Sequence, residues 1–331
     1  MKYIIFRYDR IGDFLISSIL LNNIKNQDNN IKFTLVCSEK NYSYAKNSFL
    51  VDDILLIPNN FFKRIKFYFQ IFRSKFNKAI VLDGKKKSIL SALLIKCDQK
   101  ILLTNKNFYQ IIFSPFFNKI FYSKKNTNKI DELISISKYL QFKFNTSSCK
   151  YKNIKSNQDQ STLEIIKKTQ NFNIFHFDEK WIFDHYIKTY ANIEPTESEL
   201  IKFIQKLSSN KKKDLIITTG ISENKLIFFL KSKFNKIGNN IFEYKCEHNS
   251  IFLIENLDIF NLEYLISKSE SVITCHGATS HLANMYDKNL IDIIDNSEVE
   301  LFKNWTHHFT NYTSLNREFF SILSENIIKK I

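Results

Sequence analysis

The sequence predicts an α/β protein made of two doubly wound domains in tandem, with their parallel sheets facing a central cleft. Three observations predict it. Short apolar runs alternate with helical spacings along the chain, the pattern of a parallel sheet covered on both faces. A polar stretch from Asn145 to Ser161 interrupts that alternation once. The length of 331 residues is too long for one small core and suits two of about 150 residues each. The boundary is set at 155/156, giving domains 1–155 and 156–331. In such sheets ligands bind beyond the carboxyl ends of the strands.

The chain opens with an apolar run, Tyr3–Phe6, then a polar loop through Asp13, then Ile16, Ile19, Leu20 and Ile24 at helical spacing. This reads as strand, loop, helix. Further strands are expected at Lys32–Cys37, Asp53–Ile57, Ala79–Leu82 and Lys100–Leu103, with helices over Asn60–Phe76 and Ser88–Lys96. In the second half, strands are expected at Asn173–Phe177, Asp214–Thr218, Ser250–Ile254, Ser271–Thr274 and Asn289–Ile294. Thr196 and Glu199 have capping-box spacing and open a helix through Leu207. Ser222–Phe234, Asn261–Lys268 and Arg317–Lys329 read as the remaining helices.

Composition excludes several classes. With 32 Phe and 15 Tyr there is ample apolar surface to bury, so disorder is not expected. No run of about 18 apolar residues predicts a transmembrane helix, and the first apolar stretch is too short for a signal peptide. The five cysteines form no CxxC or zinc spacing and read as reduced cytosolic thiols. GxGxxG, GxxxxGK[ST], HExxH and GxSxG are all missing, which removes the usual support for dehydrogenase, P-loop, zincin and esterase readings.

The formal charge is +15 and is unevenly placed. Residues 1–155 hold 28 Lys and Arg against 10 Asp and Glu; residues 156–331 hold 20 against 23. The first half is therefore expected to be drawn to something anionic: a phospholipid surface, an acidic glycolipid or nucleic acid.

Five constellations carry candidate chemistry. In Asp9-Arg10-Ile11-Gly12-Asp13, Gly12 lets the backbone approach a ligand. Asp13 is placed to accept a proton from a sugar hydroxyl; the plainer reading is a helix cap. In Thr274–Asn284, the small residues Gly277, Ala278, Thr279 and Ser280 leave backbone N–H groups at a helix start, an anion site suited to a diphosphate. His276 and His281 bracket that turn, as ligands or as packed core residues. Lys180, beyond the strand ending at Phe177, offers a point charge to phosphate, or is a solvated surface lysine. Glu223 follows another strand end; it either holds a ribose hydroxyl or serves the helix dipole. Last, Phe61–Phe76 carries five cations and no acid among its aromatics, and Lys106–Lys125 repeats the character. Such helices lie on an anionic membrane surface, or bury their aromatics in the core and solvate their lysines. Nucleic-acid binding fits the charge, but no binding motif accompanies it.

Together these pieces resemble glycosyltransferase family 9, the lipopolysaccharide heptosyltransferases. Arg7-Tyr8-Asp9-Arg10-Ile11-Gly12-Asp13-Phe14-Leu15-Ile16-Ser17 looks like that family's opening, and Gly277-Ala278-Thr279-Ser280-His281-Leu282-Ala283-Asn284 looks like a later motif. Lys180-Trp181 looks like its middle lysine motif. The resemblance implies a GT-B fold of two Rossmann-like domains, acceptor on the first and nucleotide-sugar on the second. It implies an inverting, metal-independent, cytoplasmic transferase, peripheral on the inner face of the inner membrane, with an acidic glycolipid acceptor. Asp13 would be the catalytic base, and Arg10 and Gly12 beside it, like His276 in the later turn, would bind substrate. Lys180 would contact the donor diphosphate, Glu223 the ribose, and the turn from Gly277 to His281 the phosphates and sugar. No cofactor is implied beyond the nucleotide-sugar donor, ADP-heptose by analogy. Typical members carry Asp-Thr-Gly where this chain reads His276-Gly277-Ala278, and the usual Asp contacts the donor sugar. The competing expectation is a non-catalytic nucleic-acid or anionic-surface binding protein that uses the basic first half.

Overall fold

The computed structural model describes residues 1–152, 160–169, 171–184, 186–210, 213–220 and 224–331, with the backbone alone described at 61, 160 and 161. The chain divides into two compact units, Met1–Lys155 with Lys303–His308, and Ser156–Phe302 with Phe309–Ile331.

The first unit holds six strands: β1 (Lys2–Phe6), β2 (Lys32–Cys37), β3 (Asp53–Leu56), β4 (Lys75–Val81), β5 (Lys96–Thr104) and β6 (Lys119–Tyr122). They form one parallel sheet in the order β3-β2-β1-β4-β5-β6, with Ile4 opposite Thr34 on one side and Ala79 on the other. Helices α1 (Ile11–Lys25), α2 (Glu39–Lys46), α3 (Phe61–Arg73), α4 (Lys86–Leu94), α5 (Asn107–Phe113) and α6 (Lys129–Tyr139) alternate with the strands. This is the doubly wound arrangement, and its strand order reverses between β1 and β4. α1 is buried from Phe14 to Ile24 because α2 and α6 pack along it. Its polar residues are satisfied in that setting: Asn22 Nδ2 donates to Ser148 O at 3.1 Å, and Asn23 Nδ2 to Ser137 Oγ at 3.0 Å. The stretch read as featureless from Asn145 is therefore partly structured. Residues 146–149 form a short 3-10 turn against α1, and Tyr151 donates its hydroxyl to Leu15 O at 2.8 Å.

The second unit holds β7 (Phe172–Phe177), β8 (Asp214–Thr219), β9 (Asn235–Gly238), β10 (Ile241–Lys245), β11 (Ser250–Ile254), β12 (Ser271–Cys275), β13 (Asn289–Ile294) and β14 (Tyr312–Asn316). Their order is β14-β13-β12-β7-β8-β11-β10-β9. The expectation of a parallel sheet needs correction at one edge: β9, β10 and β11 pair antiparallel. Gly238-Asn239-Asn240 makes a tight hairpin there, with Asn240 at φ 59°, and a hairpin forces antiparallel neighbours. The strand order reverses between β7 and β12. Helices α7 (Gln160–Lys168), α8 (Glu197–Ser209), α9 (Lys225–Lys233), α10 (Ile259–Lys268), α11 (Ala278–Met285), α12 (Val299–Thr306) and α13 (Phe320–Lys330) complete the element order. The capping box of α8 forms as its spacing predicts: Glu199 N–H donates to Thr196 Oγ1 at 3.3 Å and Thr196 N–H to Glu199 Oε2 at 2.8 Å.

The two basic aromatic stretches divide their aromatics between the core and the surface. Phe67, Ile71, Tyr109 and Phe117 enter the core of the first unit. Phe62, Phe69 and Phe72 on α3 and Phe108, Ile111, Ile112 and Phe116 around α5 are exposed, Ile111 by 79%. Among the described residues no helix is long and apolar enough to cross a membrane.

Candidate active site

In each unit the chemistry-bearing residues collect beyond the carboxyl ends of the strands, where the strand order reverses. This is where a doubly wound sheet leaves a crevice for ligand.

In the first unit, β1 ends at Phe6 and the chain turns through Arg7–Arg10 into α1. Asp13 lies in the first turn. Its Oδ2 accepts Arg10 N–H at 3.1 Å, so the helix-cap reading is correct as far as it goes. Its Oδ1 accepts from Arg7 Nη2 at 3.1 Å, and Arg7 Nε donates to Asp13 O at 3.2 Å. Each carboxylate oxygen keeps a further lone pair. The side chain is 22% exposed. Burial pushes the Asp13 pKa above its ordinary value; Arg7 opposes that shift and Asp9 reinforces it. Asp83, which follows β4 on the other side of the reversal, accepts from Tyr8 N–H at 2.8 Å, Lys85 N–H at 2.9 Å and Ser88 Oγ at 2.6 Å. Burial raises its pKa too, against those three bonds. Asp13, Asp83 and Asp9 line a solvent-open cavity of about 160 Å³, with Thr104, Lys129, Glu132 and Trp305 on its other walls. Arg10 caps α1 from an exposed position and Gly12 is half-buried in the first turn.

In the second unit, Lys180 follows β7 in a short 3-10 turn fixed by Trp181. Trp181 is fully buried, donating Nε1 to His176 O at 2.9 Å and packing on Phe175 and Phe177. Lys180 is thus no solvated surface lysine: its side chain is 13% exposed and ion-paired with buried Asp178. Burial alone would lower the Lys180 pKa, but Asp178 drives it above its ordinary value. Burial likewise works to raise Asp178, and Lys180 and His176 overrule it to hold the carboxyl down. His176 itself is pushed down to about 4 by burial, so it is neutral at pH 7, with Nδ1 at 2.9 Å from Thr218 Oγ1. Buried Arg317 donates to Lys180 O and, at 3.2 Å, to Ala191 O, which fixes the backbone that carries the lysine.

The turn after β12 lies beside Lys180. A Cβ added at Gly277 would stand 2.9 Å from Lys180 Nζ, so glycine keeps that approach open. Gly277 N–H donates to Ser280 Oγ at 3.1 Å, which removes it from the amides expected to face a ligand. Ala278 and Thr279 open α11, and their N–H groups have no partner inside the helix. The side chains of Thr279, Ser280 and His281 are buried. Ser280 Oγ also donates to Asp292 Oδ1 at 2.7 Å, and His281 packs edge-on against His276 with ring centres 5.4 Å apart. His276 Nδ1 is 2.6 Å from Asp292 Oδ2, so fully buried Asp292 orients the imidazole.

The structure brings Lys180, His276 and the Gly277–His281 turn to one end of the second sheet, and Asp13, Arg10 and Gly12 to one end of the first. Glu223 lies outside the described residues. Sequence reasoning missed Asp83, Asp292 and Arg317 as parts of these clusters. Asp292 had a signal, a carboxylate inside an otherwise apolar buried strand. Asp83 had one as well, a strand-end Asp before Gly84. Arg317 had none.

No family model matches the chain, and no curated protein matches its sequence. Solved structures do match along its whole length. The E. coli heptosyltransferase WaaC with ADP-2-deoxy-2-fluoro heptose superposes with a TM-score of 0.68 at 12% identity, covering 100% of both chains. A glycosyl transferase family 9 protein from Veillonella parvula DSM 2008 gives 0.68 at 10% identity, over 100% of this chain and 90% of that one. E. coli ADP-heptose lps heptosyltransferase II gives 0.67 at 9% identity, over 100% and 97%. The fold that the resemblance implies is therefore present: this chain has the GT-B-type α/β fold of the heptosyltransferases.

Proposed function

We propose that the chain is an inverting, metal-independent glycosyltransferase that moves a sugar from a nucleotide-sugar to a lipopolysaccharide or related surface-glycan acceptor. The observation that carries this is Asp13: a carboxylate at the strand-order reversal, held by Arg7 and the Arg10 amide, lining an open cavity with its pKa raised. In the reaction the acceptor hydroxyl gives its proton to Asp13 as its oxygen bonds to the anomeric carbon. The bond from that carbon to the diphosphate oxygen breaks, and the nucleoside diphosphate leaves with inversion. Lys180 and the Ala278 and Thr279 amides offer that leaving group a cation and a helix N-terminus. His276 stands where the family's sugar-contacting Asp is found, and Glu223 takes the ribose by the same motif match. The donor is assigned as ADP-heptose, the class named for the structural neighbours.

The acceptor is assigned as an acidic glycolipid at the inner face of a cytoplasmic membrane. The exposed aromatics of α3 and α5 stand beside exposed Lys63, Lys66 and Arg73, with no acid on α3, which suits an anionic lipid surface.

Asp13→Asn tests the reading. Turnover with ADP-heptose and a lipopolysaccharide core acceptor is expected to fall about a thousandfold, with ADP affinity by calorimetry unchanged. Full turnover in the variant removes Asp13 from the mechanism.

A further inference from the structure

The wall of the Asp13 cavity that faces α6 is a buried polar network. Glu132 is 5% exposed and accepts from Lys129 Nζ at 2.9 and 3.1 Å, and from Ser123 Oγ. Lys129 Nζ also donates to Ser123 Oγ at 3.1 Å and stands 5.8 Å from the ring centre of Trp305. Trp305, half-buried, lines the cavity as well.

The charges of the lining decide what enters. Two cations, Arg7 and Lys129, stand among four carboxylates, Asp9, Asp13, Asp83 and Glu132, and Lys85, just outside the lining, pairs with Asp9, which leaves one carboxylate in excess. Both cations are already engaged. Arg7 serves Asp13, Leu82 O and Asp9, and Lys129 serves Glu132 through both oxygens. An anionic substituent in this cavity would meet surplus negative charge and no uncommitted cation among its lining residues. Like charges brought together repel, and the contact weakens binding. Hydroxyl groups meet the opposite situation, because carboxylate oxygens are acceptors that want donors. An aromatic ring beside such acceptors suits the C–H face of a pyranose.

We propose that the sugar presenting its hydroxyl to Asp13 is uncharged, held by hydroxyl-to-carboxylate bonds and by stacking on Trp305, while the acceptor's anionic groups stay outside this cavity. The proposal rests on the glycosyltransferase reading and names the substrate class of its first-unit site. It also separates two features that net charge merges: the excess of +18 over residues 1–155 lies on the surface, and the cavity itself is acidic.

The test is a binding comparison without donor. Methyl glycosides of glucose, galactose and mannose are titrated against their uronate counterparts on the intact protein, followed by saturation-transfer NMR. At least one neutral glycoside is expected to bind, and about tenfold more tightly than its uronate. Trp305→Ala is expected to lose that affinity and Trp305→Tyr to retain most of it. Glu132→Gln leaves Lys129 uncompensated and is expected to shift the neutral-to-uronate ratio toward the uronate, with melting curves confirming a folded variant. Equal or tighter uronate binding, no neutral ligand at all, or indifference to Trp305→Ala overturns the proposal. A protein that transfers sugar yet prefers uronates sinks this inference alone, and one that binds neutral glycosides but never transfers sinks the proposed function instead.

Discussion

The clusters at the two strand-order reversals differ in how they handle charge. In the first unit, carboxylates outnumber cations, a solvent-open cavity adjoins them, and burial lifts both Asp13 and Asp83. In the second unit Lys180 and Asp178 neutralise each other under near-complete burial, and a second buried carboxylate, Asp292, is spent on orienting His276. The same fold position thus carries a carboxylate-rich open cavity in one unit and a buried, internally paired charge cluster in the other. The lesson is that strand topology supplies the crevice, and the residues just past the strands choose its polarity.

Three experiments break or sharpen that contrast. The largest effect is expected from Lys180→Met. It removes the cation proposed to meet the diphosphate, at a cost of about a hundredfold in turnover, and it leaves Asp178 buried without its partner. A buried charge stripped of its partner costs about 3–5 kcal/mol, so thermal melting should fall as well. Intermediate is the pH profile. Asp13 works as a base only when ionised, and its folded pKa is raised, so activity should climb with pH through a limb above the ordinary carboxylate range. Arg7 is the main group opposing the rise, so Arg7→Gln should move that limb to still higher pH, and Lys180→Met should leave it in place. A limb that Arg7→Gln does not move would assign the titration to another group. The smallest effect is Gly277→Ala. Its new Cβ would crowd Lys180 Nζ at 2.9 Å, so donor KM should rise while the melting temperature stays near that of the parent. An unchanged KM would show that Lys180 yields without cost.

Much of the fold was legible because parallel strands buried on both faces read as plain apolar runs. Phe172–Phe177 and Ser271–Cys275 are buried at every position and were found nearly to the residue. Strands β4 and β5 begin four residues earlier than their apolar runs, at Lys75 and Lys96, since their first residues pair with one another while the lysine heads stay in water. β6 lay hidden inside an aromatic stretch read as a basic amphipathic helix. The edge strands β9 and β14, and β10 beside β9, were missed because partly exposed strands alternate weakly. Within the clusters, residues next to strand ends, such as Asp13, Lys180 and His276, could be singled out, whereas Arg317 and Trp305 are distant in sequence from the Lys180 carbonyl and the Lys129 ammonium that they meet.

The sequence alone determined the α/β class, the alternation of strand and helix and the loops where chemistry gathers, because these depend on local periodicity and on spacing along the chain. Only the tertiary structure decided that Lys180 is paired with Asp178, that Asp292 steers His276, and that a basic first unit encloses an acidic cavity. Pairing and burial depend on which strands become neighbours, and that juxtaposition is absent from any short window of residues.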